Sequence, residues 1–361
     1  MLSSRHYIAT GVGERYDSAK LGNQSPILFF WQAIAGIIAA NMDCKPLQGA
    51  QMRNLLSSSV IVAFFAGCTS VTSERLNNAQ IEAIQGRVEE RHPNLSSSQQ
   101  TAITELVVRA VDNMVFVEGG SFMMGEFGVP CEPGSTELCN ADFSPDNDYA
   151  HKVTLDDYYL SKFETTLSDF DLYREIMGRT PYAPELRARE DRQHLFQLDL
   201  PAWTKTWQEA KDYCVWLGEL ANRPFNLPSE AQWEFAARNR GKNVLYATNN
   251  GEYTPGVNTP PDDGPAKMRP VDSFPPNPLG IHNLTSNSAE WTLDWYSETY
   301  YQESPEMNPT GPSTGETKVI RSGGYRTASP NKTTILRDHV NPVEEHYYES
   351  LGFRCGQTHT R

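Results

Sequence analysis

The sequence predicts a loop-rich α+β fold, and three observations support that prediction. Glycine and proline number 25 and 24 among 361 residues, and aromatic side chains make up 11%, a composition typical of ordered loops and not of a helical bundle. Beyond Met114 only two long stretches have convincing helical periodicity, 164–177 and 207–221. The remaining chain consists of short apolar runs between segments rich in glycine, proline and asparagine, which favours short strands joined by loops.

Local signals define further elements. The apolar residues of the helix over 207–221 fall on one stripe: Ala210, Tyr213, Cys214 and Leu217. A third, short helix is predicted after Ser229, which can cap it together with Gln232, and Gly241 lies beyond its end. The segment MVFVEGGSFMMG (114–125) contains two alternating runs around a Gly-Gly pair. We therefore expect a β-hairpin that opens a new domain at Met114.

The charge balance excludes one class of partner. Lysine and arginine number 31 against 45 aspartates and glutamates, which gives a net charge of −14 at pH 7. Such a surface repels phosphate backbones. We therefore expect no nucleic-acid partner.

An export signal is predicted from Met52. The stretch MRNLLSSSVIVAFFAGCTS (52–70) has a basic residue, an apolar run and small residues, the three-part form of a secretory signal. Its end, FAGC, resembles a bacterial lipobox with phenylalanine at the usual leucine place, and the alternative is an ordinary buried segment. We expect cleavage to leave a lipidated Cys68 as the first residue. Thr69 replaces the aspartate of inner-membrane retention, which favours a periplasmic lipoprotein anchored in the outer membrane of a Gram-negative bacterium.

Two segments flank this signal. Residues 1–51 are expected to be an upstream extension, with translation beginning at Met52. They include an apolar stretch over 26–42, and the alternative is a transmembrane helix over 27–40, which is shorter than the ~20 residues a bilayer requires. Residues 69–112 are predicted to form a helical tether, in which Ser97 and Gln100 form a capping box.

Four cysteines follow Cys68, an even number for an oxidising compartment: Cys131, Cys139, Cys214 and Cys355. The first two bracket a short loop with its own turn residues, so we expect them to pair. That would leave the other two for a second bridge, although four cysteines allow three pairings. A bridge closing a loop of about 140 residues would contribute roughly 4–5 kcal/mol in the chain-entropy model.

Six segments of the chain, taken together, resemble the formylglycine-generating-enzyme or sulfatase-modifying-factor family, whose domain is a divergent C-type-lectin-like fold. They occur in the family's order over a domain expected at 113–356, which leaves 357–361 as a tail. The segments are MVFVEGGSFMMG (114–125), HKVTLDDYYLSKFETT (151–166), WQEAKDYCVWLGELANRPFNLPSEAQWEFAAR (207–238), RPVDSFPPNPLGIHNLTSNSAEWTLDWY (269–296), IRSGGY (320–325) and LGFRC (351–355). The resemblance also implies a disulfide between Cys214 and Cys355.

The resemblance implies two structural calcium sites, and oxygen ligands of the types present suit Ca²⁺. In one loop the expected ligands are two side chains and two carbonyls: Asn283, Glu290, Ser286 and Ser288. In the other loop they are again two side chains and two carbonyls: Asn258, Asp263, Thr259 and Pro265. The alternative is that these are turn residues bonding their own backbone.

Catalytic residues of the family are replaced. Its active members use two cysteines after the Gly-Gly strand to bind copper and convert a substrate cysteine to formylglycine. Thr327 and Lys332 occupy those places here, and neither can supply a thiolate. The histidines show no ligand spacing, so we expect no catalytic metal.

We therefore expect a non-catalytic, lipid-anchored protein that binds a protein partner. By analogy with the family, that partner is a type VI secretion effector such as a phospholipase, with this chain as its immunity or accessory protein. The alternatives are a copper or non-heme iron oxidoreductase acting on a protein or peptide thiol, and a glycan-binding lectin. The partner-contact residues predicted are Tyr300, Tyr301, Arg326 and Lys332.

Overall fold

The computed structural model of the chain describes residues 71–132, 134–140, 145–261, 267–325, 332–343 and 350–358. Those residues fall in one compact unit that begins at Val71. The export signal with Cys68, residues 1–51, and the positions Asp263, Pro265 and Arg326 lie outside the described residues, so the predictions made for them stay predictions. Of the helices in the described ranges, none has the length and apolar character needed to cross a bilayer.

The helices are short to medium in length and lie mainly in the first two thirds of the chain. They are α1 (Asn78–Arg91), α2 (Ser97–Asp112), α3 (Leu167–Ile176), α4 (Pro184–Arg187), α5 (Trp207–Ala221), α6 (Glu230–Ala237) and α7 (Tyr300–Glu303), with a 3₁₀ helix at Glu190–Leu195.

The strands are two to seven residues long. They are β1 (Met114–Val117), β2 (Gly120–Met124), β3 (Val129–Pro130), β4 (Leu138–Cys139), β5 (His151–Leu155), β6 (Tyr158–Ser161), β7 (Phe225–Asn226), β8 (Ala289–Trp295), β9 (Lys318–Arg321), β10 (Asp338–Val340), β11 (Leu351–Gly352) and β12 (Gly356–Thr358).

Two four-stranded sheets organise the domain. Their strand orders are β1-β6-β12-β7 and β10-β9-β8-β11, and only the β11–β8 pair is parallel. The pairs β2–β5 and β3–β4 form two small antiparallel sheets. Together with the helices, this confirms the predicted α+β class.

The predicted hairpin over 114–125 is replaced by an exchange of partners. Strand β1 pairs with β6 and β2 pairs with β5, so the two strands on either side of the Gly-Gly pair enter different sheets. Both the β1–β2 and the β5–β6 connections have two residues, and they cross closely. A Cβ on Gly119 would lie 2.3 Å from the Leu155 carbonyl oxygen, and the Gly119 N–H donates to Asp157 Oδ1 at 2.8 Å. The first glycine is therefore required by this crossing and not by a hairpin turn.

The helical segment predicted as a tether packs into the core of the same unit. Ile84 and Val88 of α1 and Val107 of α2 share one apolar cluster with Trp216 and Leu220 of α5. The two helices carry apolar stripes that need a partner surface, and α5 supplies it. The capping box of α2 is formed by Ser96 with Gln99, one residue before the predicted pair, because the run SSSQQ offers the same spacing twice.

The predicted helices and bridges are present with small changes. Helix α5 has the predicted bounds, and Ser229 caps α6 in a capping box with Gln232. Helix α3 begins only at Leu167, because the Thr166 side chain accepts from the Asp169 N–H and starts the helix there. The structure contains both expected disulfides, Cys131–Cys139 and Cys214–Cys355.

Candidate functional site

The segment after β9 is where the resemblance places the two thiols of active family members. The backbone N–H of Tyr325 donates to the Asn287 carbonyl at 3.0 Å, and the ring is 5% exposed. It packs in an apolar cluster with Tyr182 and Trp203. A Cβ on Gly324 would lie 2.9 Å from Ser350 Oγ, so this backbone is closely enclosed.

Lys332 lies inside the protein. The residue is 2% exposed, and its Nζ donates to the Tyr253 hydroxyl at 3.1 Å. Two residues later, the Thr334 N–H and hydroxyl donate to the carbonyls of Leu245 and Val244 at 2.8 and 2.7 Å. This pairing holds the segment against the 244–253 loop. Lys332 is therefore a buried residue where the sequence predicted a partner-contact surface.

The described ranges contain no free cysteine thiol. All four cysteines found there are bridged, with Cα–Cα distances of 5.0 and 5.6 Å. Thr327 lies outside the described residues, and a threonine hydroxyl does not replace a thiolate as a copper ligand or redox centre. Within the same ranges, no group of three or more histidine, cysteine, aspartate and glutamate side chains is arranged to hold a metal ion.

A network of buried charges lies beneath β9. Arg321, fully buried, donates to Glu230 at 2.9 Å and to Glu234 at 3.0 Å. Arg337 donates to both oxygens of Glu230, at 2.6 and 3.1 Å, and Arg238 donates to Glu234 at 2.8 Å. Burial by itself would raise the pKa of Glu230, but Arg337 and Arg321 hold it below its ordinary value. The two arginines therefore keep the Glu230 carboxylate ionised in the core.

Tyr300 and Tyr301 belong to this interior. They are 8% and 2% exposed, and the Tyr301 hydroxyl donates to Glu230 Oε1 at 3.0 Å. The Arg337 guanidinium carbon lies 4.1 Å from the centre of the Tyr301 ring. The sequence predicted both tyrosines as surface contacts. The short helix α7 turns them inward instead.

The loop over 283–290 contains the residues of the first expected calcium site. The Ser286 hydroxyl oxygen is buried and has no hydrogen-bond partner among the described residues, which suits an oxygen-seeking cation. Both oxygens of Glu290 instead accept from Arg354, at 2.7 and 2.8 Å. A carboxylate held by a guanidinium does not fit a calcium ligand. The fit therefore rests on the loop oxygens, without Glu290.

Asn283 and Ser288 of the same loop also have protein partners. The Asn283 amide donates to Glu164 Oε2 and to the Val271 carbonyl, both at 2.8 Å. The Ser288 hydroxyl donates to the carbonyls of Ala289 and Ser350. These bonds use the amide N–H groups of Asn283 and the hydroxyl proton of Ser288. They do not use the oxygens expected to bind calcium, the Asn283 side-chain oxygen and the Ser288 carbonyl.

Glu164, which accepts from Asn283, is a buried carboxyl that sequence reasoning missed. Burial, with a smaller contribution from the charge of Glu290, raises its pKa to about 8 against the lowering effect of Arg354. A second Asn, Asn287, donates to its other oxygen at 3.1 Å. The carboxyl therefore joins the 283–290 loop to the start of α3.

The second expected calcium loop is only partly described. Asn258 Oδ1 accepts from the Thr254 N–H at 2.9 Å, as in a turn that bonds its own backbone. The Thr259 hydroxyl is buried and unpartnered among the described residues. Asp263 and Pro265 lie outside them, so this site stays a prediction.

Comparison with known proteins identifies the family. The model of the sulfatase-modifying factor enzyme 1-like domain matches residues 99–358. The chain belongs to this family. The formylglycine-generating enzyme of Streptomyces coelicolor is 36% identical over 166 residues, which cover 42% of this chain and 50% of that protein. The chain spans about half the length of that relative and of the enzyme from Bos taurus.

Two other relatives of the family show its range. The inactive C-alpha-formylglycine-generating enzyme 2 of Mus musculus is 24% identical over 300 residues, 68% of this chain and 85% of that protein. The serine/threonine-protein kinase Pkn1 of Chlamydia trachomatis is 28% identical over 259 residues, 68% of this chain and 38% of that protein. The similar proteins therefore include one named inactive and one in which the match covers 38% of that protein.

Solved structures show the same fold. PvdO from Pseudomonas aeruginosa superposes with a TM-score of 0.54 at 23% identity, covering 68% of this chain and 94% of that one. Treponema denticola variable protein 1 gives 0.51 at 19% identity, covering 68% and 95%. The family and fold expected from the sequence are confirmed.

Proposed function

We propose that this chain is a non-catalytic member of the sulfatase-modifying factor family that binds a protein partner. The observation that supports it is the replacement of the thiol pair. Lys332, at the place of one cysteine, is buried against Tyr253, and the four described cysteines are in disulfides. A lysine ammonium cannot act as a copper ligand or as a redox thiol.

The scaffold suits recognition rather than turnover. Two disulfides and the buried network of Glu230 and Glu234 with their arginines hold a loop-rich fold in one shape. Rigid scaffolds with variable loops commonly serve as binding modules. Calcium bound by the 258–265 and 283–290 loops would add to this rigidity as a structural ion. The mouse relative named inactive gives a precedent within the family.

We further propose a location and a partner for the protein. Cleavage before Cys68 would give a lipoprotein anchored in the outer membrane and facing the periplasm. The partner would be a secreted effector, such as a phospholipase delivered by a type VI secretion system, whose activity this protein blocks. The support is the signal-like segment over 52–68 together with the missing thiol pair.

The first experiment separates this proposal from thiol oxidation. The purified chain is loaded with Cu(I) and incubated with oxygen and a cysteine-containing peptide, and formylglycine is measured by mass spectrometry. We expect no product. Copper-dependent turnover by the unmodified chain would reject the non-catalytic proposal. The Thr327→Cys, Lys332→Cys double variant is the matched control for copper binding at this place, because it restores both thiols.

The second experiment tests partner binding. The secreted phospholipase encoded beside this gene, if present, is assayed with and without the purified chain, and the complex is measured by size-exclusion chromatography. We expect a stable complex with loss of lipase activity. Unchanged activity and separate elution would reject the immunity assignment.

A further inference from the structure

A cleft of about 500 Å³ opens between α2, the segment that leads from β6 into α3, and α5. Its volume is in the range of small-ligand pockets, roughly 300–1,000 Å³. None of its lining residues comes from the Lys332 segment, and its wall includes Glu164 and Val271, which accept from Asn283 of the 283–290 loop. The polar groups that the argument uses are Arg109, Asp169, Asp199 and Tyr213.

Tyr213 provides the first indication of a ligand. The residue is 2% exposed and lines the cleft. Its ring packs against Phe170, Tyr173 and Phe353, with centroid distances of 5.8, 5.3 and 5.5 Å. No hydrogen bond of its hydroxyl is found among the described residues, and this oxygen is not one of the fully enclosed polar atoms. It is therefore accessible to a molecule in the cleft.

The charges lining the cleft provide the second indication. Three carboxyl side chains and one guanidinium line it, and no lysine is among the described lining residues. One of the three, Glu164, is protonated at pH 7 because its pKa is about 8. Arg109 donates to Asp169 at 2.6 Å, which compensates its charge. Asp199 is exposed, and no ion pair of its side chain is found among the described residues. Because the whole chain carries −14, the field at this cleft attracts cations.

We propose that this cleft binds an organic cation, an ammonium or guanidinium group on a short apolar stem. Asp199 serves as its counter-ion and the Tyr213 hydroxyl accepts a hydrogen bond from it. Apolar side chains line the same cleft and cover the stem: Phe163, Leu198, Leu217 and Val271. The cation is either a basic side chain of a protein or a free small amine. In the first case the inference rests on the proposed function; in the second it stands alone.

Calorimetric titration with matched probes tests the charge requirement and its source. Agmatine is compared with N-carbamoylputrescine, which replaces the guanidinium by a neutral urea. The peptide Gly-Gly-Arg-Gly-Gly is compared with its citrulline counterpart. We expect each charged probe to bind about ten-fold tighter than its neutral match, a difference of about 1.4 kcal/mol, and the difference to shrink as salt is added. Tighter binding of the peptide than of agmatine would identify a protein source.

Two variants test the named groups. Tyr213→Phe removes only the hydroxyl and keeps the ring packing, and Asp199→Asn removes only the charge. We expect each to weaken agmatine binding about five- to ten-fold with an unchanged melting temperature. Tyr149→Phe and Asp191→Asn, exposed residues outside the cleft lining, serve as matched controls and should bind as the unmodified chain does.

Three results would overturn the inference: equal affinity for charged and neutral probes, unchanged affinity in both variants, or no binding of any charged probe up to about 10 mM. These outcomes are separate from the proposed function. Loss of cation binding with the partner complex intact rejects the cleft alone, and cation binding without a partner complex rejects the proposed function alone.

Discussion

The charge network beneath β9 and the segment that follows β9 are joined by one strand, but they contain different kinds of residues. Beneath the strand, Arg321 meets Glu230 and Glu234 at 2.9 and 3.0 Å, and all three side chains are buried. Beyond it, Lys332 bonds one tyrosine hydroxyl at the place of a family thiol. The fold is therefore held by groups that are separate from the chemistry, and one can be kept while the other is lost.

Removing the central arginine should break the first of these regions and give the largest effect. Arg321→Met leaves Glu230 and Glu234 with less compensation in a buried place, and breaking a buried ion pair from one side costs about 3–5 kcal/mol. We expect a loss of that size in the free energy of unfolding, measured by urea denaturation at neutral pH.

The matched control is an exposed pair. Arg189→Met removes the partner of Asp191, where both side chains are more than half exposed. Surface pairs contribute about 0–1 kcal/mol, so this variant should unfold almost as the unmodified chain does. An Arg321→Met loss no greater than that of the control would contradict the role given to the network.

Most of the fold was predictable because its signals are local. The bounds of α5 and the capping of α6 by Ser229 follow from periodicity and cap chemistry in neighbouring residues. The strand pairing over 114–124 was not predictable from the sequence. Two apolar runs around a Gly-Gly pair have the same sequence pattern whether they pair with each other or with β6 and β5. The two pairings are distinguished only by a tertiary contact, the close approach of the β1–β2 and β5–β6 connections at Gly119.

Burial of polar residues was the least predictable part of the site. Tyr300, Tyr301 and Lys332 sit in polar sequence, which predicts exposure, but each is at most 8% exposed in the fold. The i, i+4 spacing of Glu230 and Glu234 on α6 and of Arg238 at its C-cap is a usable signal for the network. No comparable signal marked Tyr213, since its unpartnered hydroxyl depends on α2, α3 and α5 meeting.

Calcium bound by the 258–265 and 283–290 loops should stabilise the fold by less than the ~3–5 kcal/mol expected for the loss of Arg321. At a calcium concentration of 100 times the dissociation constant, one site contributes about 2.7 kcal/mol. We expect EGTA to lower the melting temperature and calcium, but not equimolar magnesium, to restore it. Ser286→Ala, which removes the buried unpartnered hydroxyl, should weaken this response, and Ser297→Ala, outside both loops, should not. An unchanged melting temperature after EGTA would reject the calcium sites.

The network should also respond to alkaline pH through Asp294. Burial first, and then the charge of Glu230, raise its pKa to about 8, against the lowering effects of Arg337 and Lys318. The folded carboxyl then holds a proton that the unfolded chain has released above its pKa of about 3.9. The contribution of Asp294 to the unfolding free energy therefore falls by about 2 kcal/mol between about pH 6 and pH 8 and levels off above that. Glu164, with a pKa also of about 8, adds a fall of the same sign.

The Asp294→Asn variant isolates that contribution. Its amide oxygen can still accept from the Glu230 N–H, as Asp294 Oδ2 does at 2.8 Å, but it carries no titrating proton. Urea denaturation across this pH range should show a shallower fall for the variant than for the unmodified chain. Parallel curves would show that Asp294 does not hold the proton in the folded state.

The smallest effect is expected beyond β9, at the replaced thiol place. Lys332→Met keeps most of the buried stem and removes the hydrogen bond to Tyr253, which contributes about 1 kcal/mol. Lys267→Met, at an exposed lysine, provides the matched control for loss of charge. Urea denaturation should place the Lys332 variant within about 1 kcal/mol of that control. A loss comparable to that of Arg321→Met would mean that Lys332 is itself part of the framework, and the separation of fold from chemistry at β9 would not hold.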